Sequence, residues 1–274
     1  MEEVAVCEEK IFKLEFEEAK QVKAVLEAVQ ALVDDVTISV DYQGLHIRQM
    51  DASHVSMVCV DVEKYAMQDF SCSYTEPVKF QVDLKKLLEK GFKRVKSDES
   101  LVVEGSIGKL EGKLALGFKG SFGKDYEFKV SSPIEADDVP EPKIDFRTQV
   151  KLLSKALREA VEDVITVTES YGLVRLTADN EQFTVSGESE ENGRCKVQMR
   201  KFDERILGLD VKEPSIANYS PDFLKTIVTA TEKLSEVATV NFSSKMPVKI
   251  TLDLRSPIRF VYYLAPKLTD EDTK

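Results

Sequence analysis

The chain has 274 residues, 42% of them hydrophobic and 32% charged, and a formal net charge of −11 at pH 7. Its length suits two domains with separate cores, and its composition is that of a soluble globular protein. The sequence has no apolar run near the roughly 20 residues of a membrane span. The acidic start, Met1-Glu2-Glu3-Val4, is unlike a signal peptide. We therefore expect an intracellular protein without a membrane partner.

Four segments carry apolar residues at the spacing of an amphipathic helix. The fourth begins at Ser220-Pro221, and proline suits the first turn of a helix. The apolar positions are Val22, Val25, Leu26, Val29, Leu32 and Val33 in the first helix; Leu84, Leu87, Leu88, Gly91, Phe92 and Val95 in the second; Leu153, Ala156, Leu157, Ala160, Val161 and Val164 in the third; and Leu224, Ile227, Val228 and Thr231 in the fourth.

Basic side chains lie on the opposite faces of these helices. One lysine stripe is typical of a solvated face, but four stripes in an acidic chain favour a shared basic surface. The stripes consist of Lys20 and Lys23 in the first helix; Lys86, Lys90 and Lys93 in the second; Lys151, Lys155 and Arg158 in the third; and Lys225 and Lys233 in the fourth.

An acidic, proline-containing stretch from Ser131 to Asp145 is typical of an extended linker. It separates two similar halves, because Asp41–Asp51 and Ser170–Asp179 each carry a tyrosine, a Gly-Leu pair, an arginine and a closing aspartate. Glu-Pro pairs at residues 76–77 and 213–214 precede the second helix of each half. The repeat predicts an internal duplication, with domains at residues 1–130 and 147–274 and a linker at residues 131–146.

The stretch from Met57 to Val62 alternates as a strand, and Asp51 and His54 stand at its head. These two side chains could form an acid–base pair, so an enzyme is one hypothesis. The sequence has no nucleophile motif beside them, no H-E-x-x-H spacing and no phosphate-binding loop, since Gly120–Tyr126 reads as a hairpin turn. A structural or contact role is therefore favoured over catalysis.

The four cysteines, Cys7, Cys59, Cys72 and Cys195, are widely spaced and form no C-x-x-C pair. This spacing predicts reduced, mostly buried thiols rather than zinc ligands or disulfides. We expect neither a metal nor a cofactor.

Residues 44–58 read GLHIRQMDASHVSMV, and Phe260–Leu268 reads FVYYLAPKL. The first segment resembles the Gly-Leu-x-x-x-x-Met-Asp-x-Ser-His-Val segment of the sliding clamps called proliferating cell nuclear antigen. The second is similar to that family's Tyr-Tyr-Leu-Ala-Pro-Lys segment, and the similarity runs from about Phe12 to the C-terminus. The resemblance implies an α+β DNA clamp fold: two similar domains, each with two helices packed on antiparallel sheets, in a head-to-tail trimeric ring.

Such a ring would encircle double-stranded DNA without reading its sequence and confer processivity on a polymerase. The helices would line its bore, so the basic residues named above become candidate DNA contacts. Two features depart from the family pattern: the second helix carries an extra residue, and Thr229-Ala230-Thr231 stands where Lys-Ala-Thr is common. The lack of a basic localisation cluster favours an archaeal source. We expect a chromosome-associated protein, in the nucleoid of an archaeal cell or in a eukaryotic nucleus.

The resemblance also implies an apolar pocket beside the linker for short client peptides with a glutamine, an aliphatic residue and two aromatic residues. The expected partners are the clamp loader, DNA polymerase, flap endonuclease and DNA ligase. By residue match, the pocket comprises Met50, His54, Val139, Pro140, Pro247, Tyr263, Leu264, Ala265 and Pro266.

The subunits of such a ring would join through two edge strands, Lys113–Phe118 and Arg194–Met199, which alternate like half-buried strands. Besides a homotrimeric processivity clamp, two alternatives stand: a clamp paralogue that is one subunit of a heterotrimer or a regulatory form, and the enzyme using Asp51 and His54. The expected interface residues are Leu114, Leu116, Phe118, Cys195, Val197 and Met199.

Overall fold

The structure, a computed structural model, describes residues 10–72, 74, 76–132, 139–168, 172–254 and 257–268. Cys7, the central part of the linker (133–138) and the Ser170-Tyr171 start of the second repeat motif lie outside the described residues. The chain forms two compact units, and each is described by itself. The first unit comprises Met1–Gln49, Cys59–Pro140 and Arg255–Ile258, and the second comprises Met50–Val58, Glu141–Leu254 and Arg259–Lys274.

The first half of the chain contributes nine strands and two α-helices in the described residues. They are β1 (Lys10–Phe16), α1 (Ala19–Gln30), β2 (Asp35–Asp41), β3 (Gly44–Met50), β4 (Ser56–Glu63), β5 (Asp69–Cys72), β6 (Val78–Asp83), α2 (Leu84–Lys90), β7 (Ser100–Ile107), β8 (Glu111–Lys119) and β9 (Lys124–Ser131), with a 3-10 turn at Lys64–Ala66. The strand order is β4-β3-β2-β6-β9-β8-β7-β1-β5.

The second half has the same complement of elements in the described residues. They are β10 (Thr148–Leu153), α3 (Ser154–Ile165), β11 (Val174–Ala178), β12 (Gln182–Ser189), β13 (Gly193–Arg200), β14 (Ile206–Val211), β15 (Ser215–Tyr219), α4 (Pro221–Leu234), β16 (Val237–Phe242), β17 (Val248–Leu252) and β18 (Ile258–Leu264). The strand orders are β14-β10-β16-β17-β18 and β13-β12-β11-β15.

Strand pairing repeats between the two halves. Strand β1 pairs with β5 and β7, and β10 pairs with β14 and β16. Strand β2 pairs with β3 and β6, and β11 pairs with β12 and β15. The β7-β8-β9 meander has its counterpart in β16-β17-β18. The internal duplication predicted from short sequence matches is therefore present in the topology, and the fold is α+β with antiparallel sheets.

The helices bury one face each, as their apolar spacing predicts. In α3, Ala156, Leu157, Ala160, Val161 and Val164 are all at most 6% exposed. Helix α4 begins at Pro221 as predicted, with Asp222 in its first turn and Lys233 in its last, where both charges complement the helix dipole. None of the helices in the described ranges is long and apolar enough to span a bilayer.

Helix α2 is shorter than the predicted segment, because it ends at Lys90. A Cβ on the next residue, Gly91, would lie 3.0 Å from Leu116 Cδ1 and 3.2 Å from Phe128 Cζ. Glycine allows this close packing against the sheet, but it is a poor helix former. Lys93 therefore lies beyond the helix, and its predicted place on the α2 face is wrong.

Two further expectations need correction. Lys151 lies in strand β10 rather than in α3, because residues up to Leu153 belong to the sheet ladder. The segment Lys113–Phe118 is not an edge strand, since β8 pairs with both β7 and β9 along its length. Its apolar residues Leu114, Leu116 and Phe118 belong to the core, at 3%, 2% and 1% exposed.

Candidate functional site

The Asp51 carboxylate organises the turn between β3 and β4. It accepts backbone hydrogen bonds from Ser53 at 2.8 Å, Val55 at 2.9 Å and Ser56 at 2.5 Å, together with bonds from the Ser53 and Ser56 hydroxyls. Burial would raise the pKa of Asp51, but the bonds from Ser53 and Ser56 hold that pKa below its ordinary value. Asp51 is thus a charged turn-former whose lone pairs are already occupied.

His54 does not complete an acid–base pair with Asp51. Its side chain is exposed, its φ is 57°, and its imidazole makes no hydrogen bond with any described residue. The contact between the two residues is a backbone bond, from His54 N–H to the Asp51 carbonyl at 3.0 Å. Among the described residues, no group of three or more His, Cys, Asp or Glu side chains is placed to hold a metal ion. The geometry does not support the enzyme hypothesis.

The same turn lies beside the C-terminal segment of the second unit. Ala265 N–H donates to the Val55 carbonyl at 2.8 Å, which holds Ala265 and Pro266 next to the turn. Met50, Pro247, Ala265 and Pro266 are partly exposed, as a docking surface requires, whereas Leu264 is 0% exposed and packs inside. Val139 and Pro140 belong to the first unit and are half-buried and exposed, respectively.

Glu141 forms a charged cluster in the second unit that sequence reasoning missed. Its carboxylate accepts hydrogen bonds from the Tyr263 hydroxyl at 2.6 Å and from Arg259, and Lys249 Nζ lies 3.7 Å away. Burial would raise the pKa of Glu141, but Arg259, Tyr263 and Lys249 hold it below its ordinary value. The available signal was that Lys249 and Arg259 interrupt otherwise apolar strands, because a half-buried cation needs an anionic partner.

The cations assigned to the helices fall into two groups. In the first group the side chains are exposed and form no ion pair with any described residue. Helix α2 is the most basic of the helices, with three lysines against one glutamate. The predicted DNA-contact cations of this group are Lys20, Lys86, Lys90, Lys225 and Lys233 in the helices, and Lys93, which is likewise exposed beyond α2.

The second group is paired with acids. Lys23 lies 3.6 Å from Glu27, and Lys155 lies 3.7 Å from Glu159, each one turn along its helix. Arg158 pairs with Glu162 of α3 and Glu232 of α4, and Lys151 lies 3.0 Å from Asp253. Net positive charge is therefore concentrated on α1 and α2, whereas the cations of α3 are matched by acids.

Two eight-residue strands have one side without a strand partner over most of their length in the described chain. Strand β13 is at the edge of its sheet, and β9 meets β6 only at the Gln81–Ser131 pair. Strand β9 exposes charges of both signs, Asp125, Glu127 and Lys129, and Glu127 lies 3.2 Å from Lys113 Nζ. Strand β13 exposes the cations Arg194, Lys196 and Arg200. Sequence reasoning assigned this open edge to β8 instead of β9.

Comparison with known proteins agrees with this architecture. The model of the N-terminal domain of proliferating cell nuclear antigen (PCNA) matches residues 11–119, and the model of its C-terminal domain matches residues 140–267. The chain belongs to the proliferating cell nuclear antigen family. Curated relatives named DNA polymerase sliding clamp include one from Thermofilum pendens, 27% identical over 93% of this chain and 99% of the relative. Another, from Pyrococcus abyssi, is 25% identical over 94% of this chain and 99% of the relative.

The fold is also that of a solved PCNA structure. PCNA from Thermococcus kodakaraensis matches with a TM-score of 0.83 over 93% of this chain and 100% of that chain, at 18% sequence identity. The family resemblance inferred from residues 44–58 and 260–268 is thus confirmed. Three surface features of this chain are therefore candidates for interaction with other molecules: the open strand edges, the exposed lysines and the turn at Asp51.

Proposed function

We propose that this chain is a DNA sliding clamp: three copies close head to tail around duplex DNA, and the ring tethers replicative polymerase and repair enzymes. The observation that carries the proposal is the presence of both PCNA domains, in order, in one chain. Relatives that match nearly their whole length are named DNA polymerase sliding clamp. The protein would act inside the cell, associated with DNA, and would catalyse no reaction itself.

The exposed charges support a sequence-independent contact with DNA. Lysine is a flexible point charge, which suits weak contacts to successive phosphates, and a closed ring needs no high affinity. We assign the main contacts to Lys20, Lys86 and Lys90, because no described carboxylate neutralises them. Lys23, Lys155 and Arg158 would contribute less, since each is already paired with a glutamate.

The two open edges support self-association. Unpaired strand edges are usually covered or paired, and a head-to-tail contact between copies pairs β9 of one with β13 of the next. One chain carries both open edges, so identical copies could supply both strands of such a contact. This favours a homotrimer over a paralogue that needs different partners. It also moves the proposed interface from β8 to β9, while Cys195, Val197 and Met199 remain on the strand that would be paired.

The turn at Asp51 and the segment around Ala265 form the proposed client-docking surface. Met50, Pro247 and Pro266 would contact the apolar side chains of the peptide, and His54 would stand at the rim. Methionine suits such a role because its flexible thioether adapts to different partners. The proposed clients are the clamp loader, DNA polymerase, flap endonuclease and DNA ligase.

Two measurements test this function. Light scattering at micromolar concentration should give the mass of three chains, and the protein should increase the product length of a matching polymerase on primed circular DNA with its loader. A monomeric protein that stimulates the polymerase only after a different clamp chain is added would support the paralogue instead. No stimulation by a trimeric protein would contradict the clamp proposal.

The docking surface is tested with a synthetic peptide carrying the glutamine, the aliphatic residue and the two aromatic residues. Met50→Ala should weaken its binding about tenfold, the equivalent of about 1.4 kcal/mol. Tyr42→Ala, in the exposed β2–β3 turn, is the matched control. Equal affinities for the two variants would remove Met50 from the site.

A further inference from the structure

One face of the β13-β12-β11-β15 sheet, within the second unit, carries a pocket of about 270 Å³. Its floor is a row of paired residues, because Thr177 lies opposite Thr184 of β12 on one side and opposite Ile216 of β15 on the other. Directly paired residues point to the same face of a sheet, so these three side chains stand together. No proposed DNA contact or docking residue lines the pocket, whose other lining residues include Asp179, Lys196 and Pro214.

The Thr184 hydroxyl is the feature that points to a ligand. Thr184 is 3% exposed, yet its hydroxyl makes no hydrogen bond with any described residue. Leaving a buried hydroxyl unbonded is costly, so such groups usually have a partner. Ser215, which is 4% exposed, has two: its hydroxyl accepts from the Thr148 hydroxyl at 2.9 Å and donates to the Glu213 carbonyl at 3.0 Å. Thr184 therefore offers both a donor and an acceptor to an occupant of the pocket.

Opposite charges stand at the two ends of the pocket. Lys196 is exposed and forms no ion pair with any described residue. Asp179 accepts the backbone N–H groups of Glu181 and Gln182 through Oδ1, whereas its Oδ2 has no partner in the described part of the chain. Lys196 is in register with Ser186, and Asp179 lies beside Gln182, so the two are about 13 Å apart along the strands. The fitting ligand carries an anion at one end and a hydrogen-bond donor at the other.

An acidic peptide segment has this chemistry. Its carboxylate matches Lys196, its backbone N–H groups match Asp179, and its methylene groups can pack against Pro214 and Ile216, which is 45% exposed. A simple anion such as phosphate would leave Asp179 without a donor and would be repelled by it. The charges at the two ends therefore favour a peptide as the occupant.

The pocket adjoins the proposed docking surface through Ile216. The Ile216 N–H donates to Ser244 Oγ at 3.1 Å, and the Lys245 N–H donates to the Ile216 carbonyl at 3.1 Å. Pro247, a residue of the docking surface, follows Lys245 by two positions. Two extended residues span about 7 Å, so a bound peptide needs only about two to four further residues to reach the pocket.

We propose that this pocket binds an acidic residue that flanks the motif of a client peptide. The carboxylate pairs with Lys196 and accepts a hydrogen bond from the Thr184 hydroxyl, and a backbone N–H of the peptide donates to Asp179. The inference rests on the proposed docking surface and adds a second point of contact, which selects clients by the charge beside their motif. Two linked contacts bind more tightly than one, because the second forms within the same complex.

The test compares three labelled synthetic peptides by fluorescence anisotropy. The first carries the glutamine, the aliphatic residue and the two aromatic residues alone. The second adds Gly-Glu-Asp-Glu before the motif and Glu-Asp-Glu-Gly after it, and the third replaces those acids by the corresponding amides. The acidic peptide should bind wild type about fivefold more tightly than either of the others, the gain of one exposed ion pair with a hydrogen bond.

Two variants locate this gain in the pocket. Lys196→Gln and Thr184→Val should each remove most of the advantage of the acidic peptide and leave the affinity of the motif alone unchanged. Arg194→Gln is the matched control, because Arg194 is an exposed cation two residues along the same face of β13 and does not line the pocket. The control variant should keep the full advantage.

Thermal unfolding separates a ligand-binding hydroxyl from a structural one. Thr184→Val should be at least as stable as wild type, because valine removes a hydroxyl that has no bond within the described chain. A clear fall in Tm would show that the hydroxyl is bonded inside the protein, and its role in the pocket would be overturned.

The outcomes separate this pocket from the docking surface. Equal binding of the acidic and amide peptides to wild type overturns the pocket and leaves the docking surface intact. An advantage that persists in Lys196→Gln, or that Arg194→Gln removes equally, also overturns it. A duplex oligonucleotide that displaces the acidic peptide from wild type but not from Lys196→Gln would assign the pocket to nucleic-acid phosphates instead. Failure of the motif peptide itself to bind overturns the docking surface and this inference together.

Discussion

The Tyr263 hydroxyl donates a 2.6 Å hydrogen bond to the Glu141 carboxylate. The bond joins the end of β18, which precedes Ala265, to the residue that follows Pro140. Tyr263 is only 4% exposed, so its ring is a fixed support rather than a mobile surface group. The strand that leads to Ala265, a residue of the proposed docking surface, is therefore tied to Glu141 through a nearly buried side chain.

We expect Tyr263→Phe to lower the free energy of unfolding by about 1 kcal/mol, the usual net value of one hydrogen bond. The ring stays in place, so the loss isolates the hydroxyl. Urea unfolding at neutral pH measures it, and Tyr65→Phe, at an exposed ring, should change nothing. Equal stability of Tyr263→Phe and wild type would show that the bond contributes nothing.

Glu141→Gln should cost more, about 2–3 kcal/mol, because it removes the negative charge that contacts the partly buried cations Arg259 and Lys249. Since the folded-state pKa of Glu141 is lowered from 4.5, its contribution is present above pH 4.5 and is lost as the pH falls through the folded value. The difference between wild type and the variant should accordingly shrink below pH 4.5. A difference that does not change with pH would contradict this account.

His46 should show the opposite pH dependence. Its imidazole contacts Asp61 at 2.8 Å and Asp41 at 3.3 Å, while Arg48 shares Asp61 at 2.5 Å. The hydrogen bond with Asp61 raises the pKa of His46 above 6.5 against the effect of burial. Its stabilisation is thus complete below pH 6.5 and is lost as the pH rises through the folded value.

The measurement is the unfolding free energy of wild type and His46→Gln between mildly acidic and alkaline pH. The advantage of wild type should be greatest below pH 6.5 and decline above it. His54→Gln removes an exposed imidazole without a hydrogen-bond partner among the described residues and is the matched control. A stability advantage of wild type that grows with pH would contradict a raised pKa of His46 in the folded state.

The duplicated turns provide an internal comparison. Asp51 is 7% exposed and accepts three backbone N–H bonds, while Asp179 is more exposed and accepts two, from Glu181 and Gln182. We expect Asp51→Ala to cost about 2–4 kcal/mol, because it leaves buried donors unpaired, and Asp179→Ala about 1 kcal/mol. Thermal or urea unfolding of the two variants tests this order, and a larger loss for Asp179→Ala would contradict it.

The sequence correctly predicts those elements of the fold that are determined by local residue patterns. Helices α3 and α4, the β-rich halves and their duplication follow from apolar spacing, from Ser220-Pro221 and from repeated turn residues. The errors arise where tertiary packing decides. Gly91 ends α2 because the sheet approaches it, and Lys151 stays in a strand because its neighbours pair on both sides.

The candidate sites show the same division. Residues 44–58 and 260–268 carry enough identity to predict the family, whereas the docking surface that they imply stays a prediction. Glu141 was missed, since its partners Lys249 and Arg259 are more than a hundred residues away along the chain. Strands β8 and β9 alternate equally well, so periodicity alone could not tell which of them lacks a neighbour.

The distribution of unpaired lysines leads to a last prediction. Lys86→Glu with Lys90→Glu should sharply reduce processive synthesis at moderate salt, because the two proposed DNA contacts on α2 would then be anions, which phosphate repels. Lys155→Glu should have a smaller effect, since Lys155 is already within 3.7 Å of Glu159. The product length of polymerase with its loader on primed circular DNA, measured over a salt series, tests this order.

The control reverses the same number of charges outside the four α-helices, with Lys64→Glu and Lys212→Glu. These changes lower the net charge equally, so any general effect of charge appears in both pairs. Light scattering should show intact trimers for all variants. A loss of processive synthesis would then reflect weaker contact with DNA and not failed assembly. If the α2 pair and the control pair reduce synthesis equally, the α2 lysines do not face the duplex.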